Sequence, residues 1–372
     1  GPSVKVLHVV EVAFAGVGRH ALDLVEGLRD HDVESVVTYP AAQADSRFLD
    51  RLARLGVQGV QFEFDRRKPW TGISAVRSIR RTLVGRHEIA HGHSSFGGAL
   101  ARLAAYRVAR CVYTPNAVRS LDPGLTALGR SAVRITEAIL DGITDCTIAV
   151  SAPEGAHLHS TVGASHVRVI PNAVGRRPVL GRAAAREALG ISAQGKAIGF
   201  VGRLARQKRV DRLLAALARI DLPGAELVVV GDGSERAELE ALAESLGVRS
   251  RVRWLGEVSG SGGGFDLYRA FDVLAIPSDY EGLSYTLLEA LAAGVPVVAT
   301  EGASSGLLET MDSPHLRVVP NDDVVGLASG IRELVSRRAG PDAPEMEPLG
   351  PSFEDMINDT LEVYRSVVAA TS

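Results

Sequence analysis

The sequence has little cysteine, no long apolar run and no marked excess of one charge. Its two cysteines, Cys111 and Cys146, cannot build a disulfide scaffold, and with no CxxC pair or Cys/His cluster they predict no zinc site. No stretch approaches the ~20 apolar residues that span a membrane. We recognise no signal peptide, and the opening Gly1-Pro2-Ser3 resembles a protease scar. These absences predict a cytoplasmic protein in a reducing compartment.

The composition is that of a folded protein with two domains. Of 372 residues, 46% are hydrophobic, which excludes disorder and suffices for two cores. A net charge of −3 argues against a dedicated nucleic-acid binder. Residues 1–180 carry 22 Lys+Arg and 16 Asp+Glu, whereas residues 181–372 carry 19 and 28. A basic half and an acidic half predict domains with different surroundings.

Short apolar runs alternate with amphipathic stretches along the whole chain. The predicted strands are Val4–Val10, Val33–Thr38, Ile89–Gly92, Arg110–Thr114, Cys146–Ser151, Val167–Ile170, Ala197–Val201, Glu226–Val230, Val252–Leu255, Val273–Ile276, Val295–Ala299 and Leu316–Val319. The predicted helices are His20–Leu28, Phe48–Leu55, Val210–Arg219, Ser234–Leu246, Tyr285–Ala293, Val324–Arg337 and Phe353–Val368. This alternation predicts an α/β protein with two doubly wound parallel-sheet domains, over 1–175 and 176–352, facing a cleft at the carboxyl ends of their strands.

One segment between a strand and a helix carries two carboxylates. Glu281 lies just outside the predicted helix and Glu289 just over a turn inside it, so the pair can reach different parts of an extended ligand. Ser284 is predicted to cap this helix, whose first-turn amides favour an anion. A local cap or salt bridge at Glu289 would explain an isolated pair, but the position between strand and helix favours ligand binding.

A second segment follows the strand Ala197–Val201. Gly202 allows the chain to turn close to a ligand, and Arg203 and Lys208 offer two cations at the edge of the sheet. Such a pair suits a diphosphate. The alternative is a solvated charge cluster, which is what we expect of Arg206 and Arg209.

A third segment, Ala15-Gly16-Val17-Gly18-Arg19, is expected to form a glycine-bearing loop over Ala13–Arg19 after the first strand. It does not match the dinucleotide pattern, and no acid ends the second strand at Thr38-Tyr39-Pro40. A glycine turn near a phosphate and a tight strand–helix turn fit this loop equally well.

Together these segments resemble the retaining glycosyltransferases of family 4, which have the GT-B fold. The resemblance covers nearly the whole chain and is strongest from Val167 to Pro296. It depends on the spacing of Glu281 and Glu289, on Gly202-Arg203 with Lys208, and on Ile170-Pro171-Asn172, Gly231-Asp232-Gly233 and Trp254-Leu255-Gly256.

The resemblance implies a role for each motif. Arg203 and Lys208 would hold the diphosphate of a UDP- or GDP-sugar donor, Glu289 the ribose, and Glu281 the sugar hydroxyls. The remaining donor-binding positions would be Gly16, Arg253, Leu255, Gly282, Leu283 and Ser284. No cofactor is implied, and the acceptor would be a glycan, a lipid-linked glycan or a small molecule. The last helix would cross back onto the first domain.

The chain departs from the family pattern at several positions. Ala15-Gly16 replaces the usual Gly-Gly, and Gly18 replaces an acidic residue. Asn116, in Tyr113-Thr114-Pro115-Asn116, stands where the family commonly has a histidine that contacts the donor sugar near C6. An amide hydrogen-bonds but does not ionise, so Asn116 bears on donor choice and on full activity.

The first domain offers other polar side chains. Glu11, Arg19 and His93 are expected on the acceptor side. We expect His91 and His93 to face different ways, with His91 packed and His93 lining the cleft, so that they share no metal. Asp30-His31-Asp32 has the Asp-x-Asp pattern of metal-dependent glycosyltransferases, but its place between a helix and a strand predicts a solvated turn. No metal site is predicted.

An Arg-rich stretch in the first domain has two interpretations. It is an ordinary surface or a site of peripheral contact with the inner face of a membrane, where Trp and cations are favoured. It comprises Arg66-Arg67-Lys68-Pro69-Trp70, Arg77, Arg80, Arg81 and Arg86.

The sequence therefore predicts a retaining, metal-independent hexosyltransferase. In the scheme that the resemblance implies, the catalytic residues are Glu281, Arg203, Lys208 and Asn116, and the leaving phosphate accepts the acceptor's proton. One alternative is a sugar-nucleotide epimerase or hydrolase, for which His93, Glu11 and Glu281 are the available acid/base groups. Another is a degenerate donor-binding module, marked by Asn116 and Ala15.

Overall fold

The computed structural model describes residues 3–13, 15–68, 70–121, 124–175, 180–258, 265–282, 284–338 and 346–370. The chain divides into two compact units, one of residues 1–172 with 352–372 and one of residues 173–351. This division lies three residues before the predicted boundary at 175. Cys111 and Cys146 are both buried and free.

Thirteen strands and thirteen α-helices form the regular structure of the described residues. The strands are β1 (Val4–Val10), β2 (Val33–Pro40), β3 (Gln58–Phe62), β4 (Ile89–His93), β5 (Arg110–Thr114), β6 (Cys146–Ala149), β7 (Val167–Val169), β8 (Lys196–Val201), β9 (Ala225–Val230), β10 (Val252–Gly256), β11 (Val273–Ile276), β12 (Val297–Thr300) and β13 (Leu316–Val319). The helices are α1 (Ala15–Leu28), α2 (Ser46–Leu55), α3 (Thr71–Leu83), α4 (Ser95–Ala105), α5 (Ala127–Asp141), α6 (Ala152–His157), α7 (Arg182–Leu189), α8 (Val210–Leu217), α9 (Arg236–Ser245), α10 (Tyr285–Ala292), α11 (Glu301–Ser304), α12 (Val324–Arg338) and α13 (Phe353–Ala369).

Every predicted strand is present, with its ends within two residues. The sequence missed β3, because this edge strand is mostly exposed and has no apolar run to reveal it. It also missed α3 to α6 and the short helix α11. The predicted loop over Ala13–Arg19 is wrong, since α1 begins at Ala15.

The first unit is built on a seven-stranded parallel sheet in the order β3-β2-β1-β4-β5-β6-β7. The chain order reverses between β1 and β4, which are hydrogen-bonded neighbours. One face of the sheet packs on α3 and α4 through Leu7, Val9 and Ala90. The other face packs on α1 through Val10 and Val37, and the final helix α13 belongs to this unit.

The second unit is built on a six-stranded parallel sheet in the order β10-β9-β8-β11-β12-β13. Its order reverses between β8 and β11. The core packs strand residues such as Ile198, Leu227 and Val298 against α8 and α12. In doubly wound sheets ligands bind beyond the carboxyl ends of the strands at such a reversal, so the loops after β8 and β11 occupy the expected position.

Candidate active site

Two predicted motifs meet at the strand-order reversal of the second unit. Lys208, after β8, donates a hydrogen bond to Glu281, after β11, and both side chains are half-buried, 22% and 12% exposed. Gln207 Nε2 donates to the Tyr280 carbonyl at 2.7 Å, and the Asp279 N–H donates to the Gln207 carbonyl at 2.9 Å. These bonds fix the two loops against each other and hold a cation beside a carboxylate.

The Gly231-Asp232-Gly233 motif holds the loop that carries Arg203. A Cβ at Gly231 would lie 2.0 Å from the Gly202 carbonyl oxygen, and one at Gly233 would lie 2.3 Å from that of Leu204. Only glycine permits this approach, which lets the Gly202 and Leu204 N–H groups donate to Val230 and Asp232 at 2.9 Å. The Gly231-Asp232-Gly233 motif therefore positions the backbone of the loop that carries Arg203.

An unpredicted set of residues anchors the loop before Glu281. Arg209 and Arg212 both pair with Asp279, at 3.2 and 2.5 Å. The Asp279 carbonyl accepts from Asn321 Nδ2 at 2.9 Å, and the Glu281 N–H donates to the Gly302 carbonyl at 2.9 Å. The expectation that Arg209 is a solvated cation is wrong. No local spacing could reveal these contacts, because the partners of Asp279 lie about 40 to 70 residues away in sequence.

The other predicted donor-site residues differ in their exposure and in their hydrogen-bond partners. Arg203 is exposed, and its side chain has no partner among the residues that the structure describes. Glu289 is buried in α10, 4% exposed, and accepts from the Tyr268 hydroxyl at 2.7 Å. Ser284 stands at the predicted N-cap position, but its side chain makes no capping hydrogen bond. Gly282 is half-buried, and Leu283 lies outside the described residues.

The predicted base-binding strand is β10, at the edge of the sheet. The Arg253 side chain donates to the Gly190 carbonyl at 2.8 Å and lies 3.4 Å from Glu226. Its guanidinium is thus engaged with its own unit. Leu255 is half-buried.

The predicted acceptor-side residues of the first unit are largely satisfied internally. Glu11 is fully buried, and its two oxygens accept from Arg66 at 2.7 and 2.6 Å. Arg66 also lies 4.8 Å above the Phe96 ring, so it is not an ordinary surface cation. Arg19 lies in α1, with its Nε 3.7 Å from Asp23.

The glycines of the third motif lie in the first turns of α1. Gly16 is exposed there. A Cβ at Gly18 would lie 3.0 Å from the Ala13 carbonyl carbon and 3.2 Å from the Phe48 ring, so Gly18 allows close packing. For Gly18 this favours the tight strand–helix turn over the phosphate turn.

Three histidines of β1 and β4 form a buried cluster. His8, His91 and His93 are fully buried, and the rings of His91 and His93 are centred 4.2 Å apart. The expectation that His91 and His93 face different ways is wrong, because residues two apart on a strand share a face. His93 therefore lines no surface. His91 is hydrogen-bonded to Tyr364 of α13 at 2.6 Å and to Thr114 at 2.8 Å.

Burial keeps these histidines neutral. It lowers the pKa of His8 to about 3 and holds the pKa values of His91 and His93 well below their usual value, and the neighbouring histidines act in the same direction. Ligating nitrogens of the three lie within 4.8 Å of one another, a spacing found in no other group of the described chain. Asp30-His31-Asp32 forms a turn, as predicted.

Asn116 follows β5 in an unusual backbone conformation. Its φ is 55° and that of Ala117 is 119°, both in the left-handed region. Asn172 of the Ile170-Pro171-Asn172 motif donates from Nδ2 to Asn116 Oδ1 at 3.4 Å. Two positions singled out for separate reasons are thus in contact.

A cavity of about 520 Å³ opens elsewhere in the second unit, at the amino ends of β8, β9 and β10. Its lining includes Ser192, Pro223 and Arg251. The Arg251 side chain is engaged with the carbonyls of Leu217, Ile220 and Ala225. The cavity lies at the sheet edge opposite the motifs, so we place the site at the motifs.

Two family models match the chain, one in its first half and one in its second half. The model "Glycosyltransferase Family 4" matches residues 14–175, and "Glycosyl transferases group 1" matches residues 181–346. The chain belongs to the family 4-like glycosyltransferases. Over 191 residues it is 35% identical to the uncharacterized glycosyltransferase MJ1607 of Methanocaldococcus jannaschii, a match that covers 48% of this chain and 47% of that one. The match thus spans about half the length of this curated relative.

Solved structures show the same fold. Sucrose-phosphate synthase from Thermosynechococcus elongatus superposes with a TM-score of 0.79 over 99% of this glycosyltransferase and 100% of that chain, at 19% identity. Anabaena HepE in complex with UDP and glucose gives a TM-score of 0.71 over 98% and 100%, at 18% identity. The fold of the chain is GT-B. No helix in the described ranges is long and apolar enough to cross a membrane.

Proposed function

We propose that this glycosyltransferase transfers a hexosyl group from a UDP- or GDP-sugar to an acceptor hydroxyl. The observation that carries the proposal is the meeting of Lys208 and Glu281 at the β8/β11 reversal. The loop of Lys208 also carries the exposed Arg203, whose side chain has no partner in the described chain. Family membership supports the same activity. So does the likeness to HepE, which binds UDP and glucose.

The charges of the loops suit a leaving diphosphate. Without ligand, Glu281 neutralises Lys208, whereas Arg203 keeps its planar fork for phosphate oxygens. The first-turn N–H groups of α10 add the positive end of a helix dipole. Such groups stabilise the charge that develops as the sugar–phosphate bond breaks.

We infer that the transfer retains the anomeric configuration. An inverting displacement needs a free carboxylate as general base, and a double displacement needs one as nucleophile. Glu281 pairs with Lys208, both oxygens of Glu11 bind Arg66, and Glu289 accepts from Tyr268, so none of the three suits either role. This favours a same-face displacement in which the leaving phosphate takes the acceptor's proton. NMR of the product formed from an α-linked donor tests the inference, and a β-linked product would refute it.

We infer that turnover needs no divalent metal. The Asp-x-Asp pattern lies in a turn, and the histidine cluster is buried and includes no carboxylate. Activity that persists after EDTA treatment and metal analysis would support this. Activity that disappears and returns with Mg²⁺ or Mn²⁺ would refute it.

We propose that the first unit touches an anionic membrane through α3 and the residue before it. Trp70, Ile73 and Val84 are exposed by 68%, 61% and 51%. Arg77 and Arg81, which are exposed on the same helix, add charge for anionic headgroups. Co-sedimentation with phosphatidylserine vesicles should fall with added salt and in the variant Trp70→Ser/Ile73→Ser. Equal pelleting of both proteins would refute the contact.

A panel of UDP-, GDP- and dTDP-sugars, each with and without glycan, lipid-linked and small-molecule acceptors, tests the activity itself. Nucleotide diphosphate release only with an acceptor supports transfer. Isomerised donor, or release without acceptor, would indicate the epimerase or hydrolase. Buried Glu11 and His93 disfavour that alternative.

A donor-binding module is a second candidate because of Asn116. If the protein transfers sugar, Asn116→Ala should impair turnover more than nucleotide binding. If wild type binds donors without turnover and Asn116→His restores some transfer, the module interpretation is correct. An active wild type whose Asn116→Ala variant keeps full rate on every donor would place Asn116 outside the site.

A further inference from the structure

We propose that Glu154 is a positioning residue for Asn116, whose backbone turn it holds through a buried carboxylate. The proposal rests on the proposed function only for the effect on turnover. Glu154 is 2% exposed. Its Oε1 accepts from the N–H groups of Ala117 and Val118 at 3.0 and 3.1 Å, and its Oε2 accepts from Val150 N–H at 2.7 Å.

The turn needs this acceptor because its backbone is strained. Asn116 and Ala117 both have positive φ, and a non-glycine residue holds such a conformation only when its surroundings enforce it. Val118 is buried, so without the carboxylate its N–H would lose its partner away from water. Glu154 Oε1 accepts hydrogen bonds from two successive N–H groups and therefore determines where the Asn116 amide lies.

The carboxylate is itself held by two neighbouring strand ends. Glu154 lies in the first turn of α6, where Ser151 accepts from the Glu154 N–H at 3.3 Å. Val150 directly follows β6, and the turn at Asn116 follows β5, which pairs with β6. Glu154 thus connects the carboxyl ends of adjacent strands across 36 and 37 residues of sequence.

No cation pairs with this carboxylate in the described chain. Burial raises the pKa of Glu154 to about 7, and its three backbone donors act in the opposite direction. The titratable groups on α6 and on the elements around it are His157 of α6, His159 of the segment after it, Tyr113 of β5, Cys146 of β6 and Arg168 of β7, and none of them pairs with Glu154 in the described chain. Glu137 and Arg134 of α5 act on Tyr113 and His157. Burial raises the pKa of Tyr113 and lowers that of His157, so both are neutral near pH 7.

Protonation of Glu154 removes one acceptor, so the turn should loosen as the pH falls through about 7. Glu154→Gln has the same shape but keeps only one acceptor oxygen and places an amide donor among N–H groups. It should therefore imitate the protonated state at every pH.

The test compares Glu154→Gln and Glu154→Ala with Glu137→Gln. Glu137 is also a buried glutamate of the first unit, but it pairs with Arg102 at 2.9 Å and makes no bond to the turn. Hydrogen exchange of the Ala117 and Val118 amides should rise roughly tenfold or more in both Glu154 variants and stay unchanged in Glu137→Gln. If Glu154→Ala folds poorly, the comparison of Glu154→Gln with Glu137→Gln is sufficient for the test.

Turnover and binding provide the second measurement. The kcat on a sugar donor should fall roughly tenfold in Glu154→Gln, with free UDP or GDP affinity unchanged by calorimetry. Wild-type kcat should fall below pH 7, whereas that of Glu154→Gln should be flat there.

Unchanged exchange at Ala117 and Val118 would overturn the proposal whatever the activity. Faster exchange with unchanged kcat would overturn its catalytic part. A wild type that turns over no donor would refute the proposed function, while hydrogen exchange would still decide whether Glu154 holds the turn.

Discussion

The two units use the polar residues at their strand-order reversals in opposite ways. In the second unit, Lys208, Glu281 and Arg203 are half-buried or exposed at the ends of β8 and β11. In the first unit, Glu11 and His93, at the ends of β1 and β4, are fully buried and bonded to their own unit. The same sheet topology thus leaves charged side chains partly exposed in one unit and buries polar side chains in internal hydrogen bonds in the other.

The largest expected effect concerns the buried histidines of the first unit. Their pKa values are lower in the folded than in the unfolded chain, so unfolding takes up protons below about pH 6.5. The free energy of unfolding should therefore fall with decreasing pH, by about 1.4 kcal/mol per pH unit and histidine. Glu154 acts in the opposite direction, because its pKa is higher in the folded chain and unfolding releases its proton. Urea unfolding at pH 7 and pH 5 measures the slope.

The control for this prediction is His8→Gln, which should flatten the slope. A wild-type midpoint that is equal at both pH values would mean that the histidines are protonated in the folded protein.

The next effect concerns the cations of the second unit. Arg203→Ala should lower kcat/KM by roughly 10²–10³, because the lost contact stabilises the leaving diphosphate in the transition state. Lys208→Ala should act in the same direction. Arg206→Ala, which removes an exposed cation of the same loop, is the matched control for initial-rate measurements. Near-normal turnover in both of the first two variants would contradict the diphosphate assignment.

A smaller effect is expected from Glu11→Gln in the first unit. The change removes the charge that Arg66 binds and should cost about 1–3 kcal/mol of folding free energy. Because Glu11 is engaged internally, the affinity for free UDP or GDP should not change. Thermal unfolding measures the stability, and calorimetry measures the nucleotide affinity. If Glu11→Gln weakened nucleotide binding without loss of stability, Glu11 would belong to the nucleotide site and the contrast between the two units would be wrong.

The smallest effect separates the two glutamates of the second unit. Glu289→Gln should weaken the affinity for free UDP or GDP by roughly tenfold, as expected for a hydrogen bond to a charged group. Glu281→Gln should leave this affinity little changed, because Glu281 is assigned to the hydroxyls of the donor sugar, which free UDP or GDP lacks. It should lower turnover of the intact donor. Calorimetry with UDP or GDP on each variant measures the affinity. Equal losses of affinity in both variants would show that the roles of Glu281 and Glu289 have been assigned wrongly.

Much of the fold could be predicted because buried parallel strands are continuous apolar runs. β5, β11 and β13 have the predicted ends, whereas the exposed edge strand β3 carries no such signal. The motifs at Arg203 and Glu281 could be predicted because each directly follows a strand. The anchors could not, because they come from distant parts of the chain: Arg212 and Asn321 bind Asp279, and the Gly302 carbonyl accepts from the Glu281 N–H.

The sequence by itself determined the α/β class, the two sheets and the loops in which the charged motifs lie, because these follow from local apolar patterns and from residues next to strand ends. Tertiary structure alone decided which polar groups remain available. It buried His93 beside His8 and His91, paired Glu11 with Arg66, and placed Glu154 under the turn at Asn116. Burial and pairing depend on what packs over a residue, and that packing comes from segments far away in sequence.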